Sequence, residues 1–332
     1  MKFGIQLPTT KEGMTYRILT DDDLDSLLTM PETIEKLEEA LRAKSRGHLV
    51  AEARFQVTLN NGALVFTAGA EPVNEHVIGF RVYETFRVPT VKHEQLVAVF
   101  DSEDGRFKGL ILGHVIGAMR TAALDGIALK YMAPKNPDCL GILGSGFQAA
   151  FHFESALCVR PFRRARVYSP AIKHRAAFAA EMSEKHGLEV EIAESAEEVV
   201  READVLLCTT NATQPVFDAA WLKPCSHVTT IGPKLEGNHE LPLEAADRSA
   251  RIVTDSLAQV DAFPRPYFLS NTCHRERMIE LSEVIAGRQP GRESDDEITL
   301  FCSVGLSATE VIVANQALRN FEAREAVLEQ GG

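Results

Sequence analysis

The chain has 332 residues, of which 45% are hydrophobic and 25% charged, enough for one large domain or two ordinary ones with full-sized cores. A net charge of −12 lacks the basic footprint that nucleic acid or an anionic membrane requires, which excludes both as expected partners. "MKFGIQLPTTKEG" has no apolar signal core, and no run reaches the ~18 residues of a membrane helix, so a cytoplasmic protein is expected. Cys139, Cys158, Cys208, Cys225, Cys273 and Cys302 show neither CxxC nor Cys/His ligand spacing, which predicts reduced core thiols and no metal.

In chain order, "TDDDLDSLLTMPETIEKLEEALRAKSRG" predicts two helices. Thr20 or Asp21 can cap the first, and Pro31 suits the first turn of the second. The acids Asp21–Asp23 fit the positive end of a helix better than a metal. A β region follows: "RFQVTL", "ALVFTAGA", "VIGFRVYETF", "EQLVAVFD" and "FKGLILG". The turns Asn60-Asn61-Gly62 and Asp104-Gly105 are hairpin signals, so this sheet is expected to be largely antiparallel.

From "GAMRTAALDGIALKYMA" the pattern changes. Short apolar strands ("LGILG", "ARVYS", "EVEI", "DVLLCTT", "HVTTIG", "RIVTD") alternate with helical segments at Phe147–Val159, Ile172–His186 and Ala196–Glu202. Such alternation implies a parallel sheet covered on both faces. "SVGLSATEVIVANQALRNFEAREAVLEQ" reads as one long helix returning to the first domain. The expected class is α/β: a Rossmann-type doubly wound parallel sheet (123–303) plus an α+β domain built from both chain ends (1–122 and 304–332).

Gly144-Ser145-Gly146-Phe147-Gln148-Ala149 is G-x-G-x-x-A between a strand and a helix, the context that marks a dinucleotide fingerprint. The first glycine allows the tight turn, the second admits a pyrophosphate, and Ala149 lets helix and strand pack closely. Where preference for NAD would place an acid, the next strand ends in Ser169, followed by Lys173 and Arg175. A 2′-phosphate suits those cations, so NADP(H) is favoured with NAD(H) possible. Thr121, Thr209, Ile231 and Gly232 are further candidates for cofactor contacts.

Three blocks, "GAMRTAALDGIALKYMAPKN" with "LGILGSGFQAAFH", "VTTIGPKLEGNHELPL" and "ELSEVIAGRQPGRESDDEITLFCSVGLSATE", together resemble the ornithine cyclodeaminase/μ-crystallin family from about residue 17 onward. The resemblance implies a homodimer, with the first domain carrying dimer contacts and part of the substrate site and a Rossmann domain holding NAD(P). It also implies an active site with two arginines and a lysine around a carboxylate, plus an aspartate in the cyclodeaminases. Arg54 and Arg120 match the arginines. Arg81 replaces the lysine, Lys234 replaces the aspartate, and the later lysine of that loop is Asn238.

Lys234 cannot supply a negative charge and would repel a substrate ammonium group, which argues against ornithine or lysine. Arg81 stays protonated, so it binds anions rather than moving protons, unless it is simply an edge-strand charge. These cations suit a small 2-imino acid, with one carboxylate or two, reduced by hydride from NAD(P)H or formed in reverse. In that reading Arg54 and Arg120 clamp the 1-carboxylate with Arg81 assisting. Lys234 is the proton donor or the partner of a distal anion. His239 and, more weakly, His93 are further candidates. A deaminating cyclase and a catalytically silent ligand-binding protein remain the alternatives.

Overall fold

Local capping starts the first unit of the computed structural model, which describes residues 17–86 and 95–330. After β1 (Arg17–Thr20) comes α1 (Asp21–Leu27), and the Thr20 N–H donates to Asp23 Oδ2 at 2.8 Å. Thr29 caps α2 (Met30–Ser45), with Pro31 in its first turn. Then follow β2 (Val50–Ala51), β3 (Phe55–Leu59), β4 (Gly62–Glu71), β5 (Val77–Glu84), β6 (Leu96–Asp101), β7 (Phe107–Leu112) and α3 (Val115–Met132). The Asp21 carboxylate accepts from the His114 and Val115 N–H groups, both at 2.9 Å, so this acid serves the start of α3. The unit ends at Arg120, within α3, and resumes from Leu306 with the C-terminal helix Thr309–Gln330.

Its seven strands run β1-β7-β6-β5-β4-β2, with β3 also on β4. All pairs are antiparallel except β1 with β7. Alternation gives the two faces different fates. On one, glycines let the C-terminal helix sit against the backbone: a Cβ at Gly109 would fall 2.6 Å from Leu318, and one at Gly79 would fall 3.0 Å from Val311. The other face is apolar and exposed, with Leu64 and Ile78 on it, Phe80 stacked near Phe100, and Phe55 stacked on Phe66. Arg81 lies in β5, between β4 and β6, and is therefore not an edge-strand charge.

The second unit, Thr121–Gly305, contains β8 (Cys139–Leu143), α4 (Phe147–Val159), β9 (Arg164–Tyr168), α5 (Ile172–His186), β10 (Val190–Ile192), α6 (Ala196–Glu202), β11 (Val205–Cys208) and β12 (His227–Thr230). A small hairpin, β13 (Lys234–Leu235) with β14 (Asn238–His239), precedes α7 (Leu243–Arg248), β15 (Arg251–Thr254), α8 (Leu257–Ala262), β16 (Met278–Glu280), α9 (Leu281–Ile285) and β17 (Thr299–Cys302). The eight-stranded sheet runs β10-β9-β8-β11-β12-β17-β15-β16, every pair parallel. Val205 and Leu207 join one apolar cluster while Leu206 and Cys208 join another, so both faces are covered.

Two sequence expectations are corrected. The sheet has β16 and β17 beyond the six strands read from the pattern. The last helix starts at Thr309 rather than near Ser303. Before it, Gly305 and Ala308 take φ of 91° and 73°, and the Asp255 carboxylate accepts from the Val304 and Gly305 N–H groups at 2.8 and 2.9 Å. Those bonds hold the segment out of helical geometry. Among the described residues, no helix is long and apolar enough to cross a membrane.

Candidate functional site

The order β10-β9-β8-β11-β12 places the topological switch between β8 and β11, where open α/β sheets bind ligands at the carboxyl ends of the strands. A cavity of about 700 Å³ opens there. Its wall is Leu143 to Gln148 from the glycine turn, Tyr168 to Ala171 and His174 after β9, and Thr209 to Asn211 after β11. Gly144 has φ 105°, and a Cβ on it would lie 2.7 Å from Thr209 O. Gly146 caps α4 and has open space where its Cβ would be. Ala149 is fully buried beneath the turn. An exposed helix start with amides and dipole aimed outward, fronted by a glycine without a side chain, fits a pyrophosphate.

Ser145 Oγ and Ser169 Oγ are 2.8 Å apart, and no acid from the end of β9 lines the cavity. Arg175 is a correction. Its guanidinium is buried, donates to Ser169 O at 3.0 Å, pairs with Glu194 at 3.6 Å and lies over the Tyr168 ring. From the first turn of α5 it folds back onto β9, so it does not face a 2′-phosphate; His174 lines the cavity instead. Lys173 is exposed and outside the cavity wall, and Thr121, Ile231 and Gly232 do not line it either.

The first unit brings Arg81 and Arg120 together on a residue that sequence reasoning missed, Glu310. Arg81 Nη1 donates to Glu310 Oε1 at 2.9 Å, and Arg120 Nη2 lies 3.2 Å from the same oxygen. Arg81 also donates through Nε to Gln95 Oε1 at 3.1 Å and lies over the Tyr83 ring. Burial pushes the Glu310 carboxyl upward, but Arg120 and Arg81 outweigh it and hold the group below the usual carboxylate value. Burial lowers Arg81, against the pull of Glu310. Arg54 Nη1 donates to Tyr83 Oη at 3.2 Å.

These contacts redistribute the expected cationic cluster. Arg81 spends its donors on Glu310 and Gln95, whereas Arg120 is buried with Nε and Nη1 lacking a hydrogen-bond partner among the described residues. A buried guanidinium with idle donors is costly unless an acceptor arrives. The signal for Glu310 was a single charge in the apolar run "SVGLSATEVIVANQAL", since a buried acid needs a cation.

In the second unit Lys234 Nζ donates to Ile231 O at 2.9 Å and to Ser303 O. His239 Nδ1 lies 2.7 Å from Leu241 O, and its ring stacks on Phe268; those contacts give it a local structural role. His93 lies outside the described residues. Glu240, also unforeseen, is fully buried and accepts from the loops after β11 and β12. Burial raises its carboxyl, while its Thr210, Gly232 and Thr230 donors oppose that.

A Δ1-pyrroline-2-carboxylate reductase of Bacillus cereus is 31% identical over 331 residues, covering 95% of this chain and 97% of that one. The structure of the Thermococcus litoralis Δ1-pyrroline-2-carboxylate reductase, in complex with NADH and L-proline, superposes with a TM-score of 0.85 at 29% identity, covering 95% and 98% of the two chains. An archaeal alanine dehydrogenase dimer with bound NAD gives a TM-score of 0.85 at 28% identity, covering 94% and 98%. The ornithine cyclodeaminase/mu-crystallin family model matches residues 14–325. With the glycine turn at the switch point and similarity running almost end to end, the chain belongs to the ornithine cyclodeaminase/mu-crystallin family.

Proposed function

We propose that the protein is an NAD(P)H-dependent oxidoreductase that reduces a small 2-imino acid bearing one carboxylate to the amino acid, or runs the reverse dehydrogenation. The observation that carries the substrate class is Arg120: its idle buried donors call for a carboxylate, and Glu310 already neutralises one of the two arginines beside it. One carboxylate then balances the charge of the trio. The relatives named for Δ1-pyrroline-2-carboxylate reduction agree with a monocarboxylic cyclic imine.

When bound, the dinucleotide supplies the hydride that adds to C2 of the imine. The glycine turn and the amino end of α4 hold its pyrophosphate. Arg120, with Arg54 assisting, holds the carboxylate, and Arg81 acts by fixing the acceptor that orients Arg120. Lys234 delivers the proton to nitrogen; its two carbonyl acceptors suit a charged ammonium. The lack of an acid at position 234 disfavours cyclodeamination of ornithine.

A turnover panel tests this: Δ1-pyrroline-2-carboxylate and Δ1-piperideine-2-carboxylate against iminosuccinate, pyruvate with methylamine, and ornithine. Steady NAD(P)H oxidation with the cyclic monocarboxylic imines is expected. Arg120→Ala should raise KM by about 10- to 100-fold, as loss of a charged hydrogen bond predicts, and Lys234→Ala should lower kcat more than it raises KM. Preference for iminosuccinate would overturn the monocarboxylate reading, and ammonia release from ornithine without net cofactor use would replace it with a cyclase. Binding of NAD(P)H without turnover on any of these would leave a ligand-binding protein.

On the cofactor, the acid-free end of β9 supports acceptance of NADPH, through Ser169, His174 and the neighbouring Lys173. Ser169→Asp should shift the kcat/KM ratio toward NADH by about 10-fold, from repulsion of a 2′-phosphate. Strong NADH preference in the unmodified protein would remove this reading. We further propose a homodimer, joined through the exposed apolar face of the first unit's sheet.

A further inference from the structure

Glu240 belongs to none of the roles above, yet its carboxylate accepts five hydrogen bonds. Oε2 accepts from Thr210 N at 2.8 Å and from Thr210 Oγ1 at 2.7 Å. Oε1 accepts from Thr230 Oγ1 at 2.8 Å, Ile231 N at 3.0 Å and Gly232 N at 2.6 Å. All these donors are neutral, and the residue is fully buried. Its own backbone closes the knot, with Glu240 N donating to Pro233 O at 3.1 Å and Val216 N donating to Glu240 O at 3.0 Å.

We infer that Glu240 is a positioning residue for the nicotinamide end of the dinucleotide groove, holding the loop after β11 against the loop after β12. In a doubly wound sheet the first mononucleotide half receives one nucleoside and the second half the other. Here the first half offers the glycine turn, Ser145 and Ser169. The second half offers Thr209 to Asn211, which line the cavity, and the loop that begins at Ile231. Glu240 touches only the second half. The two loops meet without room for a side chain, since a Cβ at Gly232 would lie 2.2 Å from Thr210 O. A carboxylate is the group that accepts on every side; an amide at this place sets its own N–H bonds against incoming donors. Thr210, which donates twice to the carboxylate, lines the same cavity, as does Val216, held by the Glu240 backbone carbonyl, so a shift of the carboxylate reaches the groove directly.

This rests on the dinucleotide reading above, and the test separates the two. Binding of NAD(P)H and of ADP-ribose, which lacks nicotinamide, is measured by fluorescence and calorimetric titration on the unmodified protein, Glu240→Gln, Glu240→Asp and Thr210→Val. Glu240→Gln should weaken NAD(P)H by about 10-fold or more while ADP-ribose stays within about 2-fold, as loss of a charged acceptor local to one end predicts. Thr210→Val, which removes one donor, should move NAD(P)H in the same direction by about 3-fold and keeps the test open if Glu240→Gln does not fold. Glu240→Asp should recover part of the loss. Equal weakening of both ligands, or of neither, overturns the inference. Failure of the unmodified protein to bind either ligand overturns the dinucleotide reading and this inference together.

Discussion

Glu310→Gln is expected to lower the thermal unfolding midpoint by about 10 °C and to reduce kcat/KM by about 100-fold. The carboxylate is buried and meets both Arg81 and Arg120 through one oxygen, offsetting one of their two charges. Removing one member of a buried ionic group leaves uncompensated charge and costs ~3–5 kcal/mol. For a unit of this size each kcal/mol is worth roughly 2–8 °C. The two guanidinium groups would then repel each other, and Arg120 would lose the contact that aims it. The sign of the pH dependence follows from the lowered Glu310 carboxyl. A depressed carboxyl adds stability above its unfolded value of about 4.3, and that stability is lost as pH falls through the lower folded value. Denaturant titrations of both proteins between pH 7 and pH 3 should therefore converge toward the acid end. An unchanged midpoint in the glutamine variant at pH 7 would show that the trio contributes nothing.

Gly144→Ala should weaken dinucleotide binding by about 10- to 100-fold. At φ 105° a side chain is strained, and its Cβ would sit 2.7 Å from Thr209 O and 2.8 Å from Thr209 Oγ1. The strain alone costs ~1–3 kcal/mol. The clash has no flexible side-chain end to yield, because the nearest atom is backbone. Either the turn or the loop after β11 must move, and both line the cavity. Fluorescence titration with NADH and NADPH decides the matter; undiminished affinity would mean that the turn does not hold the pyrophosphate. Thermal stability should also fall, by an amount that ADP-ribose does not restore.

What could be read from the sequence was local. The strand, glycine turn and helix from Cys139 to Val159 carry their own signals, and α4, α5 and α6 occur at the bounds their periodicity implied. β16 and β17 escaped because Met-Ile-Glu and Thr-Leu-Phe-Cys are too short to show a period, and the acidic run "GRESDDE" precedes the second. The side-chain partnerships escaped for a different reason. Arg81 and Glu310 stand 229 positions apart, and no local pattern couples them. Counting cations gives four charges awaiting an anion; the fold gives two of them, Arg81 and Arg120, one shared internal carboxylate. Arg175 shows the same limit, since a basic residue after the second strand looks alike whether it faces a phosphate or turns back on a carbonyl.

The uncovered side of the first unit's sheet has a consequence for how the molecule must be handled. Leu64, Ile78 and Phe55 meet water there, a surface that a lone globular chain would ordinarily keep small. A second copy seated on that side, as proposed above, would contribute its association free energy to the native state, and resistance to heat would then depend on how much protein is in the tube. Dilution alone should then mimic a destabilising mutation.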